Sequence, residues 1–183
     1  MIVRTVTLQR YNALSIGLHW IMAVLLVAVY LCIELSDSFP KGSDMRSTLK
    51  TWHYMLGLSV FLLVWFRLAV NFFIRAPAIS PQPPVWQGRL AWLVQAGLYV
   101  LMMGMPLAGW LILSARGQPV PFFGLQLPAL IAASKASADG IKDIHEAGAT
   151  VGYFLAGLHA GAALFHHYLL RDNTLVRMLP GRR

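Results

Sequence analysis

Six histidines carry the chemistry that this sequence can offer: His19, His53, His145, His159, His166 and His167. An imidazole can relay a proton, make a hydrogen bond or give a lone pair to a metal. Their spacing narrows the choice. His159 follows His145 by 14 residues. On a helix that is about 21 Å of rise, and about 100° per residue brings the second ring nearly back to the face of the first. One helix then shows two imidazoles on one stripe at two well-separated levels. Arg67 stands in the same relation to His53. The single cysteine, Cys32, makes no intrachain disulfide, and no CxxCH motif is present for covalent haem attachment. Cys32 reads as a small buried apolar residue.

Such stripes require helices, and composition says where they lie. Of 183 residues, 57% are hydrophobic and 12% charged, against about 25% charged in soluble domains. Four apolar runs each approach the roughly 20 residues that span a bilayer. They predict helices over 17–36, 51–75, 88–114 and 143–170 in one domain, 1–183. The expected fold is an all-α membrane protein, a four-transmembrane-helix bundle. The first run is too long for a signal peptide, and Glu34-Leu35-Ser36-Asp37 follows it without a small-x-small cleavage site. Pro106 should kink the third helix. PAISPQPPVWQG reads as a stiff extended connector. LQLPALIAASKASAD reads as a short interfacial helix, and RDNTLVRMLPGRR as a basic tail.

The net charge of +8 is a topology signal and not a nucleic-acid footprint. Arg4, Arg10, Arg75, Arg89, Arg171, Arg177, Arg182 and Arg183 fall on one side of the spans with one acid, Asp172. On the other side Lys41, Arg46, Lys50, Arg116, Lys135 and Lys142 are balanced by Glu34, Asp37, Asp44, Asp139, Asp143 and Glu146. The positive-inside rule places both termini in the cytoplasm. Anionic lipid is a partner of the basic side.

With that topology the histidines pair by depth. His19 and His159 lie toward the cytoplasm, and His53 and His145 toward the periplasm. Two facing imidazoles at each of two levels suggest two stacked bis-imidazole haem sites, because neutral imidazole suits iron and no protein thiolate or carboxylate shares either level. Zinc would want three or four ligands. A four-helix bundle is an established architecture for such sites. Gly152 lies seven residues from both His145 and His159, and Gly57 and Gly148 lie within four of a histidine. These glycines either clear room for a porphyrin edge or let helices pack closely. Arg67 reaches the level of His19 and His159, where a haem propionate would match its guanidinium. Lys50 is a similar candidate for the periplasmic haem. His166 falls about 31 Å along the helix from His145, too far to ligate the periplasmic haem. It is a candidate quinone contact, and His167 an interfacial residue.

The ordered set LHW at Leu18–Trp20, KTWHYMLG at Lys50–Gly57, VWFRLAV, RGQPVPFFG, HEAG at His145–Gly148, GLHAGAALFHHY and DNTLVRMLP resembles the bacterial cytochrome b561 family of di-haem membrane proteins. The resemblance covers nearly the whole chain. It implies noncovalent haem b held by His19, His53, His145 and His159 in a multi-pass protein of the bacterial inner membrane. It implies an oxidoreductase that takes electrons from superoxide at the periplasmic face and passes them to ubiquinone. Arg46, Arg116 and Lys142 are then candidates for steering superoxide, because focusing by charge is local. The alternative is a general electron carrier between the quinone pool and a partner redox protein. A haem-free histidine-lined transporter is disfavoured, since no pair of broken helices is visible.

Overall fold

A computed structural model describes residues 10–181; Arg4, Arg182 and Arg183, three of the bases in the charge balance, lie outside the described residues. Four helices carry the chain: α1 (Ala13–Asp37), α2 (Asp44–Phe73), α3 (Val85–Ala115) and α4 (Lys135–Phe165). All four are long and apolar enough to cross a membrane. A π-helical turn, His166–Leu170, prolongs α4.

Local polar groups set the helix starts. Asn12 Oδ1 accepts from the Ser15 amide at 2.6 Å, and the Ser43 and Ser134 hydroxyls accept from Arg46 and Ser137 amides at 3.3 Å each. Each cap satisfies a donor that the first helical turn leaves unpaired. These caps explain why α2 and α4 begin seven or eight residues earlier than their apolar runs. Hydropathy marks only the stretch that lipid can cover, while capped polar turns extend beyond it. The third helix continues through Pro106.

The expected interfacial helix in LQLPALIAASKASAD does not form. Strands β1 (Val120–Phe122) and β2 (Leu125–Leu127) pair antiparallel, with Val120 opposite Leu127. Phe123 and Gly124 both have positive φ, 45° and 85°, as a two-residue hairpin turn of matching twist requires. The apolar residues alternate with the period of a strand, so one face turns inward. Val120 is buried against Leu58 and Leu113, with Tyr54, Trp110, Phe122 and Leu127 around them. The hairpin thereby closes one end of the α2–α3 seam.

Helix α1 lies along α2, α2 along α3 and α3 along α4. By contrast, the α4 backbone hardly approaches α1 or α2. Met22, Val60 and Val64 form the buried centre of the α1–α2–α3 side, packed by Leu26, Leu63, Tyr99 and Met102. Large apolar side chains such as Phe72, Phe73 and Phe154 face outward. In water that surface would be costly; in lipid it is the solvent-compatible face.

The C-terminal segment is not a loose basic tail. Asp172, Asn173 and Arg177 are buried. Asn173 Oδ1 accepts from the Ser80 amide at 2.8 Å, and the Asn173 amide donates to Ser80 O at 3.2 Å. Arg177 donates to Pro77 O and lies over the Tyr11 ring. Trp20 Nε1 donates to Met178 O at 2.8 Å. The proline-rich connector, the start of α1 and the chain end are thus stitched into one cap over one end of the bundle.

Candidate cofactor sites

The gap between α4 and the α1–α2 pair is where the histidines meet. His19 and His159 have ring centroids 6.2 Å apart, and His53 and His145 have theirs 6.3 Å apart. Both pairs run from α4 to a different partner helix, and they lie at two levels of the bundle. The distance carries chemical meaning. An imidazole nitrogen lies about 1.2 Å from its ring centre, and a metal–imidazole bond is about 2.0–2.1 Å. Two rings facing one metal therefore sit about 6.4 Å apart. Ordinary aromatic neighbours such as Phe61 and Trp65 also sit 6.2 Å apart; what sets the histidine pairs apart is that each joins α4 to another helix, at two levels.

Neighbouring groups tune each pair. His53 Nδ1 lies 2.9 Å from Val29 O. A carbonyl only accepts, so Nδ1 carries the proton and Nε2 keeps its lone pair for a metal. His145 Nδ1 is buried without a partner. At the other level Arg67 Nε donates to Tyr99 Oη at 3.1 Å, and Arg67 Nη2 donates to His19 Nδ1 at 3.2 Å. Tyr99 also accepts from Asn71 Nδ2 at 2.7 Å. Arg67 Nη1 is buried and unpartnered. A guanidinium in a membrane interior with one donor unspent is a site awaiting an acceptor.

The residues present therefore fit a haem at each level: an imidazole pair at bis-ligand spacing, a helix gap beside it and an unspent cation at one level. Among the described residues no cluster of three or more His, Cys, Asp or Glu is placed to hold a metal ion. A family model for prokaryotic cytochrome b561 matches residues 10–181.

This chain belongs to the prokaryotic cytochrome b561 family.

It is 38% identical over 176 residues to cytochrome b561 homolog 1 of Escherichia coli, covering 96% of this chain and 100% of that protein. It is 35% identical over 175 residues to the Yersinia pestis protein named "Probable superoxide oxidase CybB", covering 96% and 98%. Cytochrome b561 homolog 2 of Escherichia coli is 29% identical over 185 residues, covering 96% and 94%. The cytochrome is thus a haem b electron-transfer protein of the bacterial inner membrane, crossing it several times.

The glycines divide. Gly57 faces open space. Gly148 receives the Met105 sulfur, and Gly152 receives the Tyr30 hydroxyl. Tyr30 Oη donates to Ala149 O at 3.0 Å, and its ring lies 4.2 Å from that of Tyr153. Tyr30 thus bridges α1 to α4 between the two histidine levels. Sequence reading missed Tyr30 and Tyr99; each is a lone hydroxyl within an apolar span, and that is the signal that marks them. A methyl added at Gly152 meets the Tyr30 oxygen. Gly152→Ala is expected to cost about 1–3 kcal/mol from overpacking, and Tyr30→Phe in the same chain should recover most of it. Thermal melts of the two single variants and the double variant in detergent measure the coupling.

The bases of the other end are not equally free. Arg46 is ion-paired with Asp37 at 2.5 Å and bonded to Phe39 O at 2.8 Å. Lys142 pairs with Glu146 at 2.5 Å. Arg116 is exposed and lines an open depression of about 550 Å³ with Lys135 and Asp139. Lys50 is half-buried one turn before His53.

His166 lies about two turns beyond His159, at the start of the π-helical turn that prolongs α4. Its Nδ1 meets Asp172 Oδ2 at 2.5 Å. Burial pushes the Asp172 carboxyl up, but the bond from His166 and the Thr174 amide (2.8 Å to Oδ1) pull it further down. The net position is below the ordinary carboxylate range, so the acid is ionised at neutral pH. A depressed folded-state pKa adds stability above the unfolded value and loses it as pH falls through the folded one. Asp172 was legible only as the single acid on its side.

Proposed function

We propose that this cytochrome oxidises superoxide at the end opposite its termini and delivers the electrons to ubiquinone at the end that carries them. The basic excess at the termini supports a cytoplasmic location for that end. Two superoxide anions, one quinone and two protons give two dioxygen molecules and one quinol. The observation that carries the reading is the pair of imidazole sets at 6.2 and 6.3 Å, one above the other across a membrane bundle. Superoxide as donor is supported by the name of the Yersinia pestis relative.

Each haem supplies one-electron exchange at its level when bound. The remaining tasks belong to the chain. His53 and His145 would hold the periplasmic-side group, with Val29 O fixing the His53 tautomer. His19 and His159 would hold the cytoplasmic-side group, and Arg67 would offer its unspent donor to a propionate. Gly57 leaves clearance at the periplasmic level. Exposed Arg116, with half-buried Lys50, would draw a small anion toward that level, while Arg46 and Lys142 are already paired with acids. The lipid-facing surface holds the bundle so that the two levels lie across the bilayer.

Stopped-flow mixing of the purified protein with superoxide, with and without a short-chain ubiquinone, tests this. Haem reduction by superoxide and reoxidation by quinone should both be seen. Arg116→Glu should slow the first about 3–10-fold, within the range of steering effects at low salt. If wild-type protein consumes superoxide no faster than spontaneous dismutation, the enzyme reading fails. A carrier between quinone and a partner redox protein then takes its place.

A further inference from the structure

The backbone of α4 hardly approaches α1, so side chains set the width of the gap between them. Beside the His19–His159 pair, two tyrosines bridge it. Tyr30 on α1 donates to Ala149 O at 3.0 Å, with its hydroxyl seated in the notch that Gly152 leaves. Tyr153 on α4 donates to Glu34 Oε1 at 2.8 Å. The two rings lie 4.2 Å apart. Glu34 follows Tyr30 by four residues, and Tyr153 follows Ala149 by four. Four residues are about one helical turn, so each helix offers one hydroxyl and one acceptor on a single face. The two bonds are reciprocal, and together they resist sliding as well as spreading. Glu34 is exposed near the end of a span. A carboxylate there needs a partner, and Tyr153 supplies one.

The bridge lies beside one histidine pair. Val29, next to Tyr30 in sequence, holds His53 Nδ1 through its carbonyl at 2.9 Å. Ala149 lies one turn after His145 on α4. The same step of α1 therefore touches one imidazole directly and the other through its helix. The two imidazoles are not equally fixed. His53 has Val29 O, while His145 Nδ1 is buried without a partner. A ligating histidine is ordinarily oriented by a bond from its second nitrogen. Without one, His145 takes its position from the α4 backbone, and the Tyr30 bond ties that backbone to α1. A metal–imidazole distance tolerates only about 0.2 Å, so a small shift of α4 is felt at the site. The other pair is remote. His159 is ten residues from Ala149, and His19 is eleven from Tyr30, about 15–17 Å along each axis.

We propose that Tyr30 and Tyr153 form a clasp that positions His145 against His53, with Glu34 as the acceptor that anchors Tyr153. The inference rests on the haem-ligand reading above. Both tyrosines are positioning residues: they act on the haem at that level through α4 and touch neither imidazole. The clasp stands in for the hydrogen bond that His145 lacks, and it serves one level and not the other.

The test reads haem retention and ligand geometry apart from stability. Haem-loaded protein in detergent is mixed with excess apomyoglobin, and haem transfer is followed by absorbance. The phase that is missing in His53→Ala belongs to the haem at the His53–His145 level. Tyr30→Phe keeps the ring and removes the hydroxyl. It should speed that phase about 3–10-fold, as loss of one hydrogen bond predicts, and leave the other phase within about twofold. In the electron paramagnetic resonance spectrum of the oxidised protein, one low-spin line should move and the other stay. Tyr153→Phe and Glu34→Ala should speed the same phase about 2–5-fold, while Glu34→Gln, which keeps an acceptor, should match wild type. Gly152→Ala with Tyr30→Phe should melt near the wild-type temperature yet still release that haem quickly. A merely structural role would restore retention along with the melt. Wild-type release and unchanged lines in Tyr30→Phe would overturn the clasp, as would equal acceleration of both phases. A wild-type protein that binds a single haem would instead overturn the ligand reading, and the clasp with it.

Discussion

His53→Ala and His145→Ala are each expected to remove one haem, and the same one. The pairing puts both rings on one group, and a bis-imidazole iron that loses one ligand loses most of what holds a noncovalent cofactor in a bundle. Haem content per protein, measured as the pyridine haemochrome, should fall by about half in either variant. The remaining midpoint in a redox titration should be identical in the two. His19→Ala and His159→Ala should remove the other component. Double variants give the sharper test, because effects within one site do not add while effects at separate sites do. His53→Ala with His145→Ala should still retain one haem. His53→Ala with His159→Ala should retain none. If the two within-pair variants lose different components, the pairing is wrong, even though the rings approach at 6.3 Å. Retention of full haem in any single variant would remove that histidine from the ligand set.

Arg67→Gln should lower the midpoint potential of one haem only, the one held by His19 and His159. Arg67 touches His19 and Tyr99 and carries a buried Nη1 with no partner. A cation beside an iron opposes the oxidised, more positive state, so its removal makes reduction harder. At a separation of about 8 Å and an effective dielectric near 20, one unit charge contributes about 2 kcal/mol. At 59 mV per tenfold change for a one-electron couple, that is about 90 mV. The expected shift is a drop of 50–100 mV at one level and less than about 20 mV at the other, since the interaction falls with distance. Arg67→Lys should keep most of the potential but lose haem affinity, because an ammonium lacks the planar fork. The contact to His19 adds a consequence. An arginine can only donate, so it requires a lone pair on His19 Nδ1. An imidazole that binds iron through Nε2 carries its proton on Nδ1. Loading the site therefore requires Arg67 to leave Nδ1 and offer both Nη groups elsewhere, and a propionate is the fitting acceptor. Equal shifts of both midpoints in Arg67→Gln would show that Arg67 serves neither level in particular.

The four spans and the depth of each histidine were readable because both depend on neighbours in sequence. Hydropathy over about 20 residues and a rise of 1.5 Å per residue need no tertiary information. The 14-residue intervals between His145 and His159, and between His53 and Arg67, fixed two levels before any helix was packed. Loops were less legible. In LQLPALIAASKASAD the same apolar residues serve a helix or a strand, and the choice fell to the turn at Phe123-Gly124 and to the seam that Val120 fills. Residue composition marked RDNTLVRMLPGRR as a basic tail, because charge counts cannot see that Asn173 and Arg177 bond the backbone of the connector nearly a hundred residues away.

The side-chain partnerships show the same division. Gly152 was legible as a small residue midway between two histidines, but its space belongs to Tyr30, which sits on another helix. His166 was legible as too deep to ligate the periplasmic group, but its bond to Asp172 depends on a π turn and on a residue at positive φ. Sequence by itself determined which residues share a level and a helix face, since periodicity is a property of the local backbone. Only the packing of α4 away from α1 and α2 decided that the imidazoles at one level face each other at ligand spacing, because that distance is set by contacts between residues remote in the chain.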